Sequence, residues 1–248
     1  MSSGLTFNLD GQAVTFSKGD TILRAAHKAG LYIPHLCFHP EFKAHGSCRL
    51  CVVNVKGKTV AACTQPAEDK LEVSSDIPEL RQARLRLIQL LFAEGNHYCP
   101  SCEASGNCQL QALAYDLGMT HYHFDPFSPV RQQDGSHPQL FIDQDRCIQC
   151  DLCGRASEEQ DNKSVYLLAG RGQDTHLAFR SQSGELGGTE ASRSDRAAHV
   201  CPVGCILPKE GNYPDIAGER LYDRIPIHTQ GNHRRDDPNR NEGDRDEQ

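Results

Sequence analysis

The sequence predicts an α+β chain of three small units in series, ending in a charged tail. Three observations carry that expectation. The first 78 residues alternate strand-like and helical patterning. Residues 79–95 form one amphipathic helical run. The twelve cysteines fall into tightly spaced groups spread along the 248 residues. The units are expected at residues 1–78, 79–128 and 129–227, with the tail at 228–248.

Composition narrows the function classes. The 26 basic residues against 33 acidic ones leave a net charge of −7, which argues against a basic nucleic-acid-binding face. The N-terminus "MSSGLTFNLDGQ" lacks the basic and apolar regions of a secretory signal. The longest apolar stretch, Leu85–Phe92, is interrupted by Arg86 and Gln89 and falls short of a membrane helix. A cytosolic chain is expected, and in a reducing compartment many cysteines read as metal ligands, with disulfides as the alternative.

In the first unit, Leu5–Leu9 and "QAVTF" form strands around an Asp10-Gly11 turn. Asp20 or Thr21 caps a helix that runs through Ala29 and ends at Gly30. A cysteine-bearing loop, Cys37–Cys51, follows. "CVVNV" and "TVAAC" make a hairpin across Lys56-Gly57-Lys58, and Leu71–Val73 adds a last strand. Two strands, a helix and further strands fit a small β-grasp domain.

The second unit opens with a helix at Asp76, with Glu79 completing a capping box and Pro78 in the first turn. Leu80, Ala83, Leu87, Leu90 and Leu91 supply the apolar stripe, with Arg81, Arg84 and Arg86 away from it. Gly95 ends the helix, and a second one starts at Cys108 and ends at Gly118. In the third unit, "KSVYLLAG" and "THLAFR" read as strands. Residues 119–139 read as irregular, 181–196 as a polar surface loop, and the tail from His228 as disordered.

The cysteines sort by spacing. Cys147, Cys150 and Cys153 form C-x2-C-x2-C, and Cys201-Pro202 follows much later. One tight loop can direct three thiolates at one face of a [4Fe–4S] cluster, and a remote Cys-Pro supplies the fourth, as in bacterial ferredoxins. Without a second such triplet before Cys201, one cluster is expected here. Zinc is the alternative, though structural zinc sites pair C-x2-C knuckles. Cys37, Cys48, Cys51 and Cys63 lie on the β-grasp pattern and fit a [2Fe–2S] cluster in a loop longer than the plant type. Gly46 and Ser47 suit a loop whose amides turn toward cluster sulfurs. A Rieske site would need a histidine where Cys51 stands, so His35, His39 and His45 read as solvated loop residues.

The remaining set, Cys99, Cys102 and Cys108, is one ligand short. Eight cysteines belong to the other two sets and only Cys205 is spare, four residues beyond Cys201 and expected beside the third site. His97 is the candidate fourth ligand of a [4Fe–4S] cluster. The alternative is an ordinary histidine at a helix end, with the cluster completed by another group or reduced to three irons. No Gly-rich phosphate loop, paired C-x2-C motifs for a nickel–iron site, or other catalytic constellation is present in the sequence. The residues therefore point to an electron relay and to no catalytic residue.

The order of these motifs resembles the N-terminal part of the large iron–sulfur subunit of respiratory complex I, an array that also opens many [FeFe] hydrogenases. As a separate chain it is most similar to the small diaphorase subunits of soluble NAD-reducing [NiFe] hydrogenases. "YIPHLCFHP", "GSCRLCVV", "LLFAEGNHYCPSCEASGNCQLQALAY", "DRCIQCDLC" and "CPVGCIL" carry the likeness over residues 5–225. Complex I and [FeFe] hydrogenases have H-x3-C at the second site. Here His97-x-Cys99 has the shorter form shared by the soluble hydrogenase subunits. Cys205 stands where that family has a small residue.

The resemblance implies a non-catalytic electron-transfer subunit in a hetero-oligomer. One partner would be a flavin/NAD diaphorase subunit holding FMN and NAD. The others would be the small and large [NiFe] hydrogenase subunits, the whole catalysing H2 + NAD+ = NADH + H+. It also implies that the [2Fe–2S] site faces the flavoprotein. An electron-input subunit of a formate dehydrogenase or complex I-like enzyme is the alternative in the same class. A zinc-binding adaptor is the alternative in another.

Overall fold

The structure, a computed structural model, describes residues 4–127, 129, 131–209 and 216–230. Its first sheet has five strands: β1 (Thr6–Leu9), β2 (Gln12–Thr15), β3 (Val52–Val55), β4 (Lys58–Ala61) and β5 (Glu72–Ser74). Their spatial order is β2-β1-β5-β3-β4, with β1 and β5 parallel and the other pairs antiparallel. Both hairpins turn on two residues with positive φ, Asp10-Gly11 and Lys56-Gly57, which matches the right-handed strand twist. Helix α1 (Ile22–Lys28) is capped by the Thr21 hydroxyl, which accepts from the Arg24 amide at 3.3 Å. Its Ile22, Leu23, Ala25 and Ala26 close a core with Phe7, Val14 and Val53.

Helix α2 (Pro78–Glu94) begins later than expected. Ile77 is its N-cap, without a side-chain cap bond, so the Asp76–Glu79 capping box does not form. Pro78 in the first turn leaves one fewer amide to satisfy, which lessens the need for that box. The buried stripe also differs from the sequence expectation. It runs through Leu80, Arg84, Ile88 and Phe92, while Leu90 is exposed. Arg84 is only 3 % exposed. Its guanidinium donates to the carbonyls of Leu50 (3.0 Å), Ser75 (2.8 Å) and Val52 (2.7 Å). An arginine reads as polar in any periodicity count, yet its planar fork suits a cluster of loop carbonyls. This clamp fixes the backbone on both sides of Cys51.

Replacing Arg84 by methionine leaves those carbonyls without their donor. The expected loss is about 3 kcal/mol or more, because hydrogen bonds to charged groups and orphaned buried acceptors cost about 1–3 kcal/mol each. Urea unfolding of anaerobically prepared protein measures it. A loss under about 1 kcal/mol would show that the clamp is dispensable.

The rest of the described chain shares one larger core with the first cysteine loop. Leu36, Phe42 and Leu50 meet Ile88 and Phe92 of α2, and the core continues through Leu113 on α3 (Gln109–Asp116) to the third unit. There β6 (Gln133–Asp134), β7 (Leu140–Asp143) and β10 (Ile206–Pro208) form a sheet in the order β10-β7-β6. Strands β8 (Tyr166–Ala169) and β9 (His176–Phe179) form a separate hairpin. Helices α4 (Leu152–Glu159) and α5 (Arg196–His199) pack against each other.

The polar excursion at 181–196 is pinned rather than merely superficial. Leu186 is fully buried, and its amide donates to the Asp134 carboxylate at 2.7 Å. One apolar residue in a polar string gives no periodic signal. The segment 119–139, read as irregular, carries the short strand β6. The expected tail starts inside α6 (Ile227–Gln230), and residues 231–248 lie outside the described residues.

Candidate iron–sulfur sites

The first set sits on the loop leaving α1 and on the β3–β4 hairpin. Cys37, Cys51 and Cys63 are buried and Cys48 is half-buried. Left-handed backbone at Gly46 (φ 79°) and Arg49 (φ 57°) bends the loop around Ser47 and Cys48. The Cys48 amide donates to Cys37 Sγ at 3.4 Å. Hydrogen bonds from Cys48, and then from Ser47, pull the Cys37 thiol below the ordinary thiol range, against the opposing effect of burial. The Cys48 side chain contributes most, followed by the Cys48 amide and then the side chain and amide of Ser47. The same side-chain hydrogen bond pushes the Cys48 thiol up, so this pair favours a single thiolate, on Cys37. Cys51 and Cys63 form the second thiol pair of the site, in which their hydrogen bond holds Cys63 below its ordinary range and pushes Cys51 up.

His35 and His39 are not solvated, contrary to expectation. Both are buried: the His35 Nδ1 edge meets the Ile33 carbonyl at 2.7 Å, and the His39 ring stacks on Phe42 at 4.7 Å. Their aromatic bodies pack while their polar edges find partners. His45, by contrast, remains exposed.

The second set surrounds a small cavity between α2, α3 and Val203-Gly204. His97, Cys99, Cys102 and Cys108 line it together with Phe92 and Arg146. The His97 ring packs on Phe92 at 5.2 Å. Its Nε2 is buried and has no hydrogen-bond partner. A backbone contact with Leu91 engages the ring, while burial, followed by Arg131 and Arg146, lowers its pKa to about 4. The imidazole is therefore neutral near pH 7, as a metal ligand must be. The ring occupies the space above Gly95, where a β-carbon would overlap Nε2 and approach the Asp145 carbonyl to 2.8 Å. An orphaned ring nitrogen beside three thiols in one cavity is a donor set that fits a cluster.

The third set begins where Cys147 leaves the turn Gln144–Arg146. Left-handed residues stand between its cysteines, Gln149 (φ 54°) and Asp151 (φ 57°), and curl the C-x2-C-x2-C run. The Gln149 amide donates to Cys147 Sγ at 3.4 Å. Cys150 and Cys153 are buried, the latter in the first turn of α4, and burial pushes both thiols up. Cys201 precedes β10. The buried Cys205 thiol lies against both Cys147 and Cys201, so five cysteines gather here. Among the described residues no cysteine is in a disulfide. Among the described residues, no three His, Cys, Asp or Glu side chains gather closely enough to hold a single metal ion.

Two arginines join the sites. Arg155 on α4 donates to the Cys37 carbonyl at 2.7 Å and the Cys150 carbonyl at 3.1 Å, linking the first set to the third. Arg146 reaches Cys102 Sγ at 3.5 Å and lies one residue before Cys147, linking the third set to the second. Gly204 makes the same junction tighter, since a β-carbon there would stand 2.9 Å from Cys102 Sγ. The sequence reading passed over both arginines, although "DRC" and "CGR" place them one and two residues from cysteines of the third set.

Three family models match successive segments of the chain. A 2Fe-2S iron-sulfur cluster binding domain matches residues 2–78. An NADH-ubiquinone oxidoreductase-G iron-sulfur binding region matches 84–123, and a 4Fe-4S single cluster domain matches 140–207. The chain is therefore a multi-cluster iron–sulfur electron-transfer protein, with one 2Fe-2S and two 4Fe-4S domains.

The NAD-reducing hydrogenase HoxS subunit gamma of Cupriavidus necator is 36 % identical over 220 residues, covering 88 % of this chain and 93 % of that protein. A crystal structure of NAD+-reducing [NiFe]-hydrogenase in the H2-reduced state has a chain that is 49 % identical. It superposes with a TM-score of 0.88 over 92 % of this chain and 97 % of its own. This chain belongs to the family of NAD-reducing hydrogenase gamma subunits. The NADH-ubiquinone oxidoreductase 75 kDa subunit of Reclinomonas americana is also similar, 30 % identical over 206 residues, but this chain spans only 29 % of its length. Among the described residues, no helix is long and apolar enough to cross a membrane.

Proposed function

We propose that the chain carries single electrons between a flavin/NAD diaphorase subunit and the small and large subunits of a [NiFe] hydrogenase, in the cytoplasm, serving H2 + NAD+ = NADH + H+. FMN and NAD belong to the diaphorase partner. Cys37, Cys48, Cys51 and Cys63 would hold a [2Fe–2S] cluster on a β-grasp domain, a reading supported by the sheet order and by α1 packed on the sheet. His97, Cys99, Cys102 and Cys108 would hold one [4Fe–4S] cluster, and Cys147, Cys150, Cys153 and Cys201 the other. Bound there, the clusters supply one-electron redox chemistry.

The observation that carries this reading is the position of the third set. Arg155 ties it to the first set and Arg146 to the second, so the spatial order is first, third, second. The chain's own residues act by holding distance, excluding water and directing amides and guanidinium groups at sulfur. With the first set toward the flavoprotein, the His97 site is the end toward the hydrogenase.

Anaerobic isolation of the native complex tests the proposal. The expected result is H2-dependent NAD reduction, with about ten irons on each copy of this chain, counted as two, four and four, over and above the iron its partners hold. A colourless chain with zinc and no iron, or a molybdenum-containing partner in place of nickel, would overturn it.

A further inference from the structure

We infer that Arg146 sets the reduction potential of the cluster at the His97 site, and that Glu103 opposes it. The inference rests on the reading of that site as a [4Fe–4S] centre. Arg146 Nη1 faces Cys102 Sγ at 3.5 Å, the carbonyl of Gly204 at 3.4 Å and the Glu103 carboxylate at 2.5 Å. Its Nε is held from the other side by the Asp143 carboxylate at 2.8 Å. Asp143 is itself buried, and its amide is bonded to the Cys205 carbonyl at 2.8 Å. The guanidinium is thus anchored at its root by β7 and aims its outer nitrogen at one ligand sulfur.

Reduction adds an electron to the cluster and its thiolates. A cationic N–H directed at Cys102 Sγ stabilises that added charge and raises the potential. The Arg146 side chain is mostly shielded from water, so screening does little to weaken the effect. Glu103 shares the same nitrogen and is more exposed, so it draws the guanidinium's charge away from the sulfur. The two residues act in opposite directions on one site. A merely structural pair would not do that, because loss of either partner would loosen the same contact.

The test is an EPR-monitored redox titration of the native complex carrying Arg146→Met, Arg146→Lys or Glu103→Gln. Arg146→Met is expected to shift the His97-site signal to more negative potential. Glu103→Gln should shift it to more positive potential, and Arg146→Lys should fall between Arg146→Met and the unsubstituted protein. The [2Fe–2S] signal, remote from Arg146, should not move. Shifts of the same sign in Arg146→Met and Glu103→Gln, or no shift in either, would overturn the inference. Should Arg146→Met fail to assemble, Glu103→Gln decides alone. Absence of the second [4Fe–4S] signal from the unsubstituted complex would instead overturn the reading of the site.

Discussion

His97→Ala is expected to remove the second [4Fe–4S] signal while the [2Fe–2S] signal and the other [4Fe–4S] signal persist. The His97 ring nitrogen is buried in that cavity without a hydrogen-bond partner, and the three thiols beside it would leave a four-ligand cluster incomplete. Alanine supplies no donor and widens the cavity to water. Iron should fall by up to about four atoms per chain, or by about one if a three-iron cluster remains. Gly95→Ala is the companion variant. It keeps the histidine but places a methyl group in the space the ring occupies, with the Asp145 carbonyl blocking retreat on the other side. It should weaken the same signal and no other. Three unchanged signals with unchanged potentials in His97→Ala would remove His97 from the ligand set.

The first sheet was legible because its cues are local. Asp10-Gly11 and the Lys56–Lys58 turn mark hairpins by themselves, and Thr21 marks a helix start. Cysteine spacing was legible for a related reason: a C-x2-C-x2-C run can curl only over a short distance, as Gln149 and Asp151 do here. Arg84, Arg146 and Arg155 were not legible, because each is defined by what it reaches across the fold. Arg84 meets carbonyls 34 and 32 positions away, and Arg155 meets one 118 away. Periodicity counts any arginine as solvent-facing, whereas a guanidinium can be buried wherever several carbonyls converge. His35 and His39 were misread for the same reason, since ring packing against Phe38 and Phe42 is a tertiary fact. The spatial order of the sites was hidden as well. In sequence the His97 site stands between the other two, but Arg155 and Arg146 put the third set between them.

That order makes Cys150 the position where one substitution should uncouple the complex. Cys150→Ser is expected to remove the [4Fe–4S] signal of the third set and to bring H2-driven NAD reduction close to background. NADH oxidation by an artificial dye at the flavoprotein should continue, as should H2 oxidation by a dye at the hydrogenase, because neither half-reaction needs the bridge. The choice of Cys150 matters. The Cys205 sulfur lies against Cys147 and Cys201, so a spare thiol stands ready to replace either of those. Cys150 has no such neighbour among the contacts of Cys205, and its serine oxygen would be a poor substitute in a buried site that burial already makes costly for an anion. Cys201→Ser should therefore be the milder variant, and Cys201→Ser combined with Cys205→Ala should be as severe as Cys150→Ser. If Cys150→Ser lost its third signal yet kept the coupled rate, electrons would be bypassing the middle site, and the first–third–second order would not describe their route.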